Sequence, residues 1–195
     1  MKLLIATTNK NKLDQFREIF KMQGADFELV SLKDIGNADD VEEDKETLME
    51  NAKKKAKYFG EKSGLISLSD DTGLFVDALD GAPGLHSKRW HAGTDLDRCL
   101  KLQEMLKDIP EEERACRYIG ALAVYDPKAN KFFEFEEKVE GYITDDFRGD
   151  ADFGYDKIFH SVYFDKNYAE LSEEEKAQIS HRGNGIREYL NRTLK

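Results

Sequence analysis

The sequence predicts an α/β fold that has either a mixed β-sheet or a second lobe. Residues 3–6 form an unbroken apolar run, which is typical of a strand covered on both faces. A polar loop and a helical pattern follow it. Later in the chain, two strand-like runs flank a turn at residues 126–130, which predicts an antiparallel hairpin. Strand–helix units and a hairpin together indicate a sheet with both kinds of pairing.

The amino-terminal half is predicted to alternate strands with helices. Short apolar runs predict strands over residues 3–6, 27–32 and 65–68. Apolar residues at helical spacing predict two helices between them, and their stripes are Leu13, Phe16, Ile19 and Phe20, then Leu48, Ala52, Ala56 and Phe59. We expect the third strand to stop at the acidic residues that follow it.

The middle of the chain adds a turn, a helix and the hairpin. Residues 81–84, Gly-Ala-Pro-Gly, predict a turn. Asp95 is the expected N-cap of a helix that ends before Pro110. Its inward-facing residues are expected to be Leu96, Leu100 and Leu106. Residues 118–125 predict a strand, and the next strand alternates apolar with charged residues, so one of its faces is expected in water.

The carboxyl-terminal part predicts one capped helix. Ser172 and Glu175 have the spacing of a capping box, and the helix that they open carries Lys176. Residues 180–183, Ser-His-Arg-Gly, are expected to break that helix.

Composition limits the class of protein and its partners. The length of 195 residues predicts one domain over residues 1–195, formed by two tightly joined lobes at most. A formal net charge of -10 disfavours binding to nucleic acid or to an anionic membrane. Cys99 and Cys116 have no metal-site or redox spacing, which predicts reduced thiols in a cytoplasmic protein. The first apolar run is too short for a signal peptide or a membrane span.

The strongest candidate for a functional site is the segment Asp70, Asp71, Thr72 and Gly73. Adjacent residues of an extended chain point to opposite faces, so the two carboxylates are not expected to act as one bidentate pair. We favour Asp71 as the residue that faces a metal, and expect Asp70 to brace the backbone. Thr72 offers a hydroxyl, and Gly73 lets the backbone turn or come close to a phosphate. The alternative is that the four residues simply cap a turn.

Other polar residues are candidates to bind phosphate or metal. Lys10 and Lys12 stand at a predicted helix amino terminus, which is suited to phosphate oxygens, although such a loop can also be a solvated connection. Glu42 and Glu43 either complement the dipole of the next helix or share Mg²⁺ with Asp71.

Several further residues have two possible roles. Lys55 and Arg89 are either surface charges or phosphate contacts. His181 and Arg182 form either an exposed polar corner or part of a site. Phe153 and Gly154 offer a flat ring beside a flexible residue.

Four separated segments together resemble the inosine triphosphate/xanthosine triphosphate pyrophosphatase family, also called dITP/XTP diphosphatases, which remove deaminated purine nucleotides. The segments occur in the family's order over nearly the whole chain. They are residues 6–12, residues 70–74 with 81–84 and 87–89, residues 153–156, and residues 169–183. The resemblance implies an α/β fold with an elongated mixed sheet flanked by helices, two lobes with a central cleft, and a homodimer.

The resemblance also implies an activity and its residues. The enzyme would use Mg²⁺ to hydrolyse a purine nucleoside triphosphate between its α and β phosphorus atoms. Asp71 would be the proton acceptor and a metal ligand, with Glu42 or Glu43 as the second carboxylate. The patterns and the resemblance together predict these substrate-binding residues: Thr7, Thr8, Asn9, Lys10, Asn11, Lys12, Lys55, Thr72, Ser87, Arg89, Phe153, Gly154, Tyr155, Asp156, Lys176, His181 and Arg182. A donor from Arg182 or from a backbone N–H would favour hypoxanthine and xanthine over adenine.

The chain departs from the family pattern at five positions. Thr8 and Asn11 replace glycines of the phosphate loop, and Thr72 replaces a serine. Asp152 stands where a glycine is usual, and Lys157 replaces a proline. Two other functions remain open at this stage. One is a Maf-type pyrophosphatase for pyrimidine or modified nucleotides, and the other is a non-catalytic sensor that binds Mg²⁺ and nucleotide.

Overall fold

A computed structural model describes residues 1–37 and 39–193 of the chain. The strands are β1 (Lys2–Ile5), β2 (Glu28–Ser31), β3 (Ile66–Val76), β4 (Pro83–Gly84), β5 (Ala115–Asp126), β6 (Lys131–Ile143), β7 (Phe159–Ser161) and β8 (Lys166–Asn167). The helices are α1 (Lys10–Met22), α2 (Leu48–Ser63), α3 (Asp95–Leu106), α4 (Glu173–Ile179) and α5 (His181–Thr193).

The strands of the described residues form one mixed sheet. Its order is β2-β1-β3-β5-β6-β7-β8, and β4 pairs with β3. Strand β1 is parallel to both β2 and β3, with Leu3 opposite Leu29 and Ile66. Strands β6, β7 and β8 pair antiparallel. The predicted α/β class with a mixed sheet is therefore confirmed.

The chain divides into two compact units, each with its own core. The first comprises Met1–Asp71, Gly120–Glu137 and Ser180–Lys195. Its core includes Leu4, Val30, Leu32 and Phe59. The second comprises Thr72–Ile119 and Lys138–Ile179. Its core includes Leu74, Leu102, Leu106, Ile143 and Phe159. That residues 1–195 form one inseparable domain stays a prediction.

Strand β3 does not stop at the acidic pair, so the predicted strand end there is wrong, and so is the alternative that these residues cap a turn. The strand continues through Asp70 and Asp71 to Val76. Leu74 pairs with Gly84 of β4, which extends the ladder past the motif. A Cβ on Gly73 would lie 2.5 Å from the carbonyl oxygen of Gly84, so the glycine permits this close approach.

Helix α1 begins at Lys10, within the segment that was predicted to be a polar loop. The side chain of Asn9 caps the helix by accepting hydrogen bonds from the N–H groups of Asn11 and Lys12. Lys10, Asn11 and Lys12 therefore lie in the first turn of α1 and not in a loop. The predicted apolar stripe is confirmed for Phe16, Ile19 and Phe20, which are buried.

Helix α3 is capped and oriented differently from the prediction. Thr94 is the N-cap and forms a capping box with Asp97, so the N-cap assigned to Asp95 is wrong. Leu96 and Leu100 are 54% and 50% exposed, whereas Leu106 is buried as predicted. The buried residues of α3 are Cys99, Leu102 and Leu106, and their spacing of three and four defines a different face.

The carboxyl-terminal helix breaks where the sequence predicted, at Ser180. The capping box at its start is also confirmed, because Ser172 and Glu175 exchange side-chain to backbone hydrogen bonds of 2.8 and 3.1 Å. Helix α5, which starts at His181, was not predicted. In residues 1–37 and 39–193, no helix combines the length and apolar character needed to cross a bilayer.

Candidate active site

Asp70 lies at the centre of a buried cluster of ion pairs in the first unit. Its side chain is fully buried, and its Oδ2 lies 2.6 Å from Nη2 and 3.0 Å from Nε of Arg182. Lys12 Nζ is 3.2 Å and His181 Nε2 is 3.4 Å from the same oxygen. Helices α1 and α5 thus each direct basic side chains at one carboxylate of β3.

The protonation states in this cluster follow from burial and charge. Burial alone would raise the pKa of Asp70, but Arg182, Lys12 and His181 outweigh it and hold that pKa well below its usual range. Burial, with the neighbouring Arg182, lowers the pKa of His181 to about 4. His181 is therefore neutral near pH 7, and its Nε2–H donates to the Asp70 carboxylate. Burial also lowers the pKa of Lys12, although Asp70 opposes that effect.

Asp71 meets a different set of partners, as the alternation of strand residues predicted. Its Oδ1 lies 3.7 Å from Lys55 Nζ of helix α2, and its side chain is 10% exposed. Lys55 also donates to Glu43 Oε1 at 2.8 Å and to the carbonyl oxygen of Asp70 at 2.9 Å. Burial raises the pKa of Asp71 against the opposing charges of Lys55 and Lys12. The two adjacent carboxylates of β3 thus have different nearest cationic partners.

The structure distinguishes the two candidate glutamates. Glu43 reaches the Asp71 surroundings through Lys55, and its charge is among those that raise the pKa of Asp71. Glu42 is exposed, and its backbone carbonyl accepts a hydrogen bond from Lys54. Burial would lower the pKa of Lys55, but Asp71 and Glu43 outweigh it and raise that pKa. One ammonium ion thus lies between two carboxylates.

This donor set fits a Mg²⁺ ion that is completed by substrate. Among residues 1–37 and 39–193, no group of three or more His, Cys, Asp or Glu side chains is placed to hold a metal. Mg²⁺ in phosphate chemistry is usually bound by one or two carboxylates together with phosphate oxygens. Asp71 and Glu43, which share Lys55, supply two such carboxylates.

Residues 7–12 are the segment that was predicted to bind phosphate, and several of their hydrogen bonds join residues of the segment to one another. Asn9 Oδ1 accepts from the N–H of Asn11 at 2.9 Å and of Lys12 at 3.3 Å. The Asn9 N–H itself donates to Thr7 Oγ1 at 3.2 Å. Thr8 and Lys10 are exposed. Because three backbone donors have partners within the segment, side chains are the better candidates to bind phosphate there.

In the second unit, the turn of residues 153–156 is fixed by several hydrogen bonds. The Gly154 N–H donates to Asp95 Oδ2 at 2.7 Å, and the Tyr155 N–H donates to the Tyr118 hydroxyl at 3.2 Å. That hydroxyl donates to Asp156 Oδ1 at 3.1 Å. The turn is therefore held at its backbone and at its carboxylate.

Lys176 lies beside the same turn. Its side chain is 8% exposed, and its Nζ is 3.8 Å from Asp156 Oδ2. The ammonium group also lies 5.7 Å from the centre of the Tyr168 ring. Within the second unit, the predicted residues Asp156 and Lys176 are thus brought together.

Four other predicted substrate residues of the second unit are placed individually. Ser87 is buried, and its Oγ accepts from the Leu74 N–H at 2.8 Å and donates to the Gly84 carbonyl at 2.6 Å, which is a structural use of the hydroxyl. Arg89 is exposed on the following loop. Thr72 and Phe153 are half-buried.

Two residues that depart from the family pattern contact each other. Lys157 Nζ lies 2.6 Å from Asp152 Oδ1, so the residues that replace a proline and a glycine form an ion pair. The pair flanks the turn of residues 153–156. It is largely exposed, which limits its contribution to stability.

The sequence reasoning missed several residues that support these clusters. Gln15 accepts from Arg182 Nη1 at 3.0 Å. A Cβ on Gly120 would lie 2.1 Å from Cγ of His181, so the ring rests against strand β5 where there is no side chain. A glycine inside an apolar strand pattern is a recognisable sign of such an approach. Tyr118 and Asp95 carried no comparable signal.

Comparison with known proteins identifies the family. The sequence profile described as the Ham1 family matches residues 3–192. The chain is 39% identical over 197 residues to a protein of Thermoanaerobacter pseudethanolicus named dITP/XTP pyrophosphatase. The alignment covers 100% of this chain and 98% of that protein. The structure of the Staphylococcus aureus Ham1 protein matches with a TM-score of 0.82 and 32% identity, covering 98% of this chain and 97% of the other. A HAM1 protein from Coxiella burnetii matches with a TM-score of 0.85 and 29% identity, covering 100% and 98%. The chain belongs to the Ham1 family.

Proposed function

We propose that this protein is a Mg²⁺-dependent nucleoside triphosphate pyrophosphatase that hydrolyses deaminated purine nucleotides such as dITP, ITP and XTP. It would release the monophosphate and pyrophosphate and so remove these nucleotides from the precursor pool. The observation that carries the proposal is the cluster in which Lys55 of α2 lies between Asp71 of β3 and Glu43, in a chain that matches a dITP/XTP pyrophosphatase over its whole length.

The reaction would break the bond between the α phosphorus and the oxygen that bridges it to the β phosphorus. Asp71 would orient the attacking water and accept its proton, and the pKa of Asp71, raised by burial, makes it a stronger base than an exposed carboxylate. The water oxygen would then become part of the monophosphate. Lys12 and Lys55 would fix the phosphate chain for in-line attack.

Asp71 and Glu43 would hold the metal. When bound, Mg²⁺ neutralises negative charge on the phosphate oxygens and on the departing pyrophosphate. We select Glu43 over Glu42 because, of these two residues, Glu43 has the side-chain contact with Lys55, whose ammonium group approaches Asp71.

Base selection would depend on Asp156 and Lys176. An acceptor and a donor stand 3.8 Å apart in this pair. Hypoxanthine and xanthine present a donor N1–H beside an acceptor oxygen at C6, whereas adenine presents the opposite order. A mismatched buried polar pair costs about 1–3 kcal/mol, which corresponds to a preference of about tenfold to a hundredfold. The pair matches guanine as well, so its discrimination is directed against adenine.

Arg182 is a weaker candidate for reading the base. Its Nε and Nη2 donate to Asp70, and its Nη1 donates to Gln15. We therefore assign it to the interior charge cluster. Phe153 remains a candidate for stacking on the purine ring.

We also propose a cytoplasmic homodimer, as the resemblance implies. Cys99 and Cys116 are free and buried, which is compatible with a reducing compartment. Leu96 and Leu100 of α3 offer exposed apolar area for a contact between copies. Sedimentation equilibrium measures the association state directly.

The decisive experiment is incubation with dITP, XTP, ATP, GTP, dTTP and UTP in the presence of Mg²⁺, with pyrophosphate and orthophosphate measured separately. We expect pyrophosphate from dITP and XTP at rates well above those for ATP. A preference for dTTP and UTP would indicate a Maf-type enzyme. Binding of dITP without turnover would indicate a nucleotide sensor.

A further inference from the structure

The hydroxyl of Tyr118 joins the side chain of Asp156 to the backbone of the same turn. It donates to Asp156 Oδ1 at 3.1 Å and accepts the N–H of Tyr155 at 3.2 Å. Asp156 Oδ2 lies 3.8 Å from Lys176 Nζ. The Tyr118 hydroxyl thus contacts one oxygen of the Asp156 carboxylate, and the Lys176 ammonium group lies nearest the other oxygen.

The position of this hydroxyl is set by a packed aromatic group. The Tyr118 ring centre lies 4.5 Å from that of Phe159 and 5.8 Å from that of Tyr168. Tyr168 in turn lies beneath the Lys176 ammonium group. Burial, together with the charge of Asp156, raises the pKa of Tyr118 well above its usual value, so the hydroxyl keeps its proton.

A carboxylate rotates easily about its terminal torsion unless a partner fixes it. The hydroxyl of Tyr118 supplies such a partner for Asp156, and the ring packing fixes the hydroxyl. A rotated carboxylate would no longer present its acceptor in the direction that the donor N1–H of a 6-oxopurine requires.

We propose that Tyr118 is a positioning residue for base selection: its hydroxyl orients Asp156 so that the Asp156 and Lys176 pair recognises the N1–H and C6 oxygen of the purine. This rests on the proposed function, because Asp156 matters for selectivity only if the protein acts on purine nucleotides. Tyr118 acts through Asp156 and does not itself contact the base.

The test is Tyr118→Phe, which keeps the ring and removes the hydroxyl. We expect the ratio of kcat/KM for ITP to kcat/KM for ATP to fall about tenfold, mainly through a higher KM for ITP. The matched control is Tyr125→Phe, because the buried hydroxyl of Tyr125 bonds Asn130 and Glu61 in the first unit. It should leave the ratio unchanged. A structural role alone would lower activity on both nucleotides equally and leave the ratio intact.

Coupling to Asp156 provides the second measurement. Asp156→Asn should reduce the same ratio, and the double variant should reduce it no further than Asp156→Asn alone, since Tyr118 acts through that carboxylate. Additive losses, an unchanged ratio in Tyr118→Phe, or failure of Tyr118→Phe to fold would each overturn the proposal. Wild-type protein that releases no pyrophosphate from any nucleotide would instead overturn the proposed function.

Discussion

The guanidinium of Arg182 places two nitrogen atoms, Nε and Nη2, within 3.0 Å of a single oxygen of Asp70. The two residues are 112 positions apart, and both are buried. Lys12 contributes a second positive charge to the same carboxylate. One buried carboxylate of the first unit therefore pairs with two cations.

Asp70→Asn should destabilise the protein strongly. The substitution leaves Arg182 and Lys12 buried without their counter-charge, which typically costs about 3–5 kcal/mol. Urea unfolding measures the change. The control is Asp14→Asn, which breaks an exposed pair with Arg17 and should leave the free energy of unfolding close to wild type. Equal effects of the two variants would contradict a special role for Asp70.

Asp71→Asn should remove activity while keeping the fold. Loss of a general base lowers kcat by about 10²–10⁴-fold. Pyrophosphate release from dITP and the thermal unfolding midpoint are to be measured on the same preparation. A variant that keeps most of its activity would exclude Asp71 as the proton acceptor.

Glu43→Gln should raise the Mg²⁺ concentration needed for half-maximal activity, by about tenfold or more if the carboxylate binds the metal. Glu42→Gln is the matched control, since Glu42 is exposed one residue earlier. It should titrate like wild type. The opposite order of effects would assign the metal to Glu42.

His181 should make stability depend on pH in mildly acidic solution. Its pKa is about 4 in the folded protein against an ordinary histidine pKa of 6.5, so between these values the unfolded chain binds more protons. The free energy of unfolding should therefore fall as pH decreases from 6.5 towards 4. His181→Gln should flatten this slope, whereas His86→Gln, at an exposed position, should preserve it. Unfolding in urea at several pH values provides the data, and an unchanged slope in His181→Gln would refute the assignment.

Gly120→Ala should destabilise the protein through a clash with the ring of His181, whose Cγ would lie 2.1 Å from the new methyl group. Overpacking of this kind costs about 1–3 kcal/mol. The penalty of the alanine should be smaller in a His181→Ala background, where the ring is absent. Denaturant unfolding of the four proteins measures this coupling, and a penalty that is the same in both backgrounds would contradict the explanation.

Local patterns predicted the elements that depend on local chemistry. The burial of Phe16, Ile19 and Phe20 follows from helical spacing, and the Ser172 capping box follows from two residues three apart. Tertiary contacts decided what the patterns missed. Strand β3 continues past Asp71 because Gly84, eleven residues after Gly73, comes close enough to pair.

In the candidate site, too, the strand period predicted some features, and others depended on tertiary contacts. The alternation of Asp70 and Asp71 was predictable because it depends only on the strand period. The choice of Glu43 over Glu42 required the position of Lys55, and the interior role of Arg182 required the position of Asp70. The exposure of Leu100 was not predictable from hydrophobicity alone, because either flank of α3 carries apolar residues.

On the proposed mechanism, strand β3 carries Asp70, which pairs with buried cations, directly beside Asp71, which serves the reaction. A relative in which only Asp71 had been replaced would keep the buried Asp70 carboxylate and its cationic partners. Such a protein would still fold. If Asp71 is the proton acceptor, as proposed, a Ham1 relative that binds a nucleotide without hydrolysing it would need only one substitution, and a search for such relatives should begin at this position.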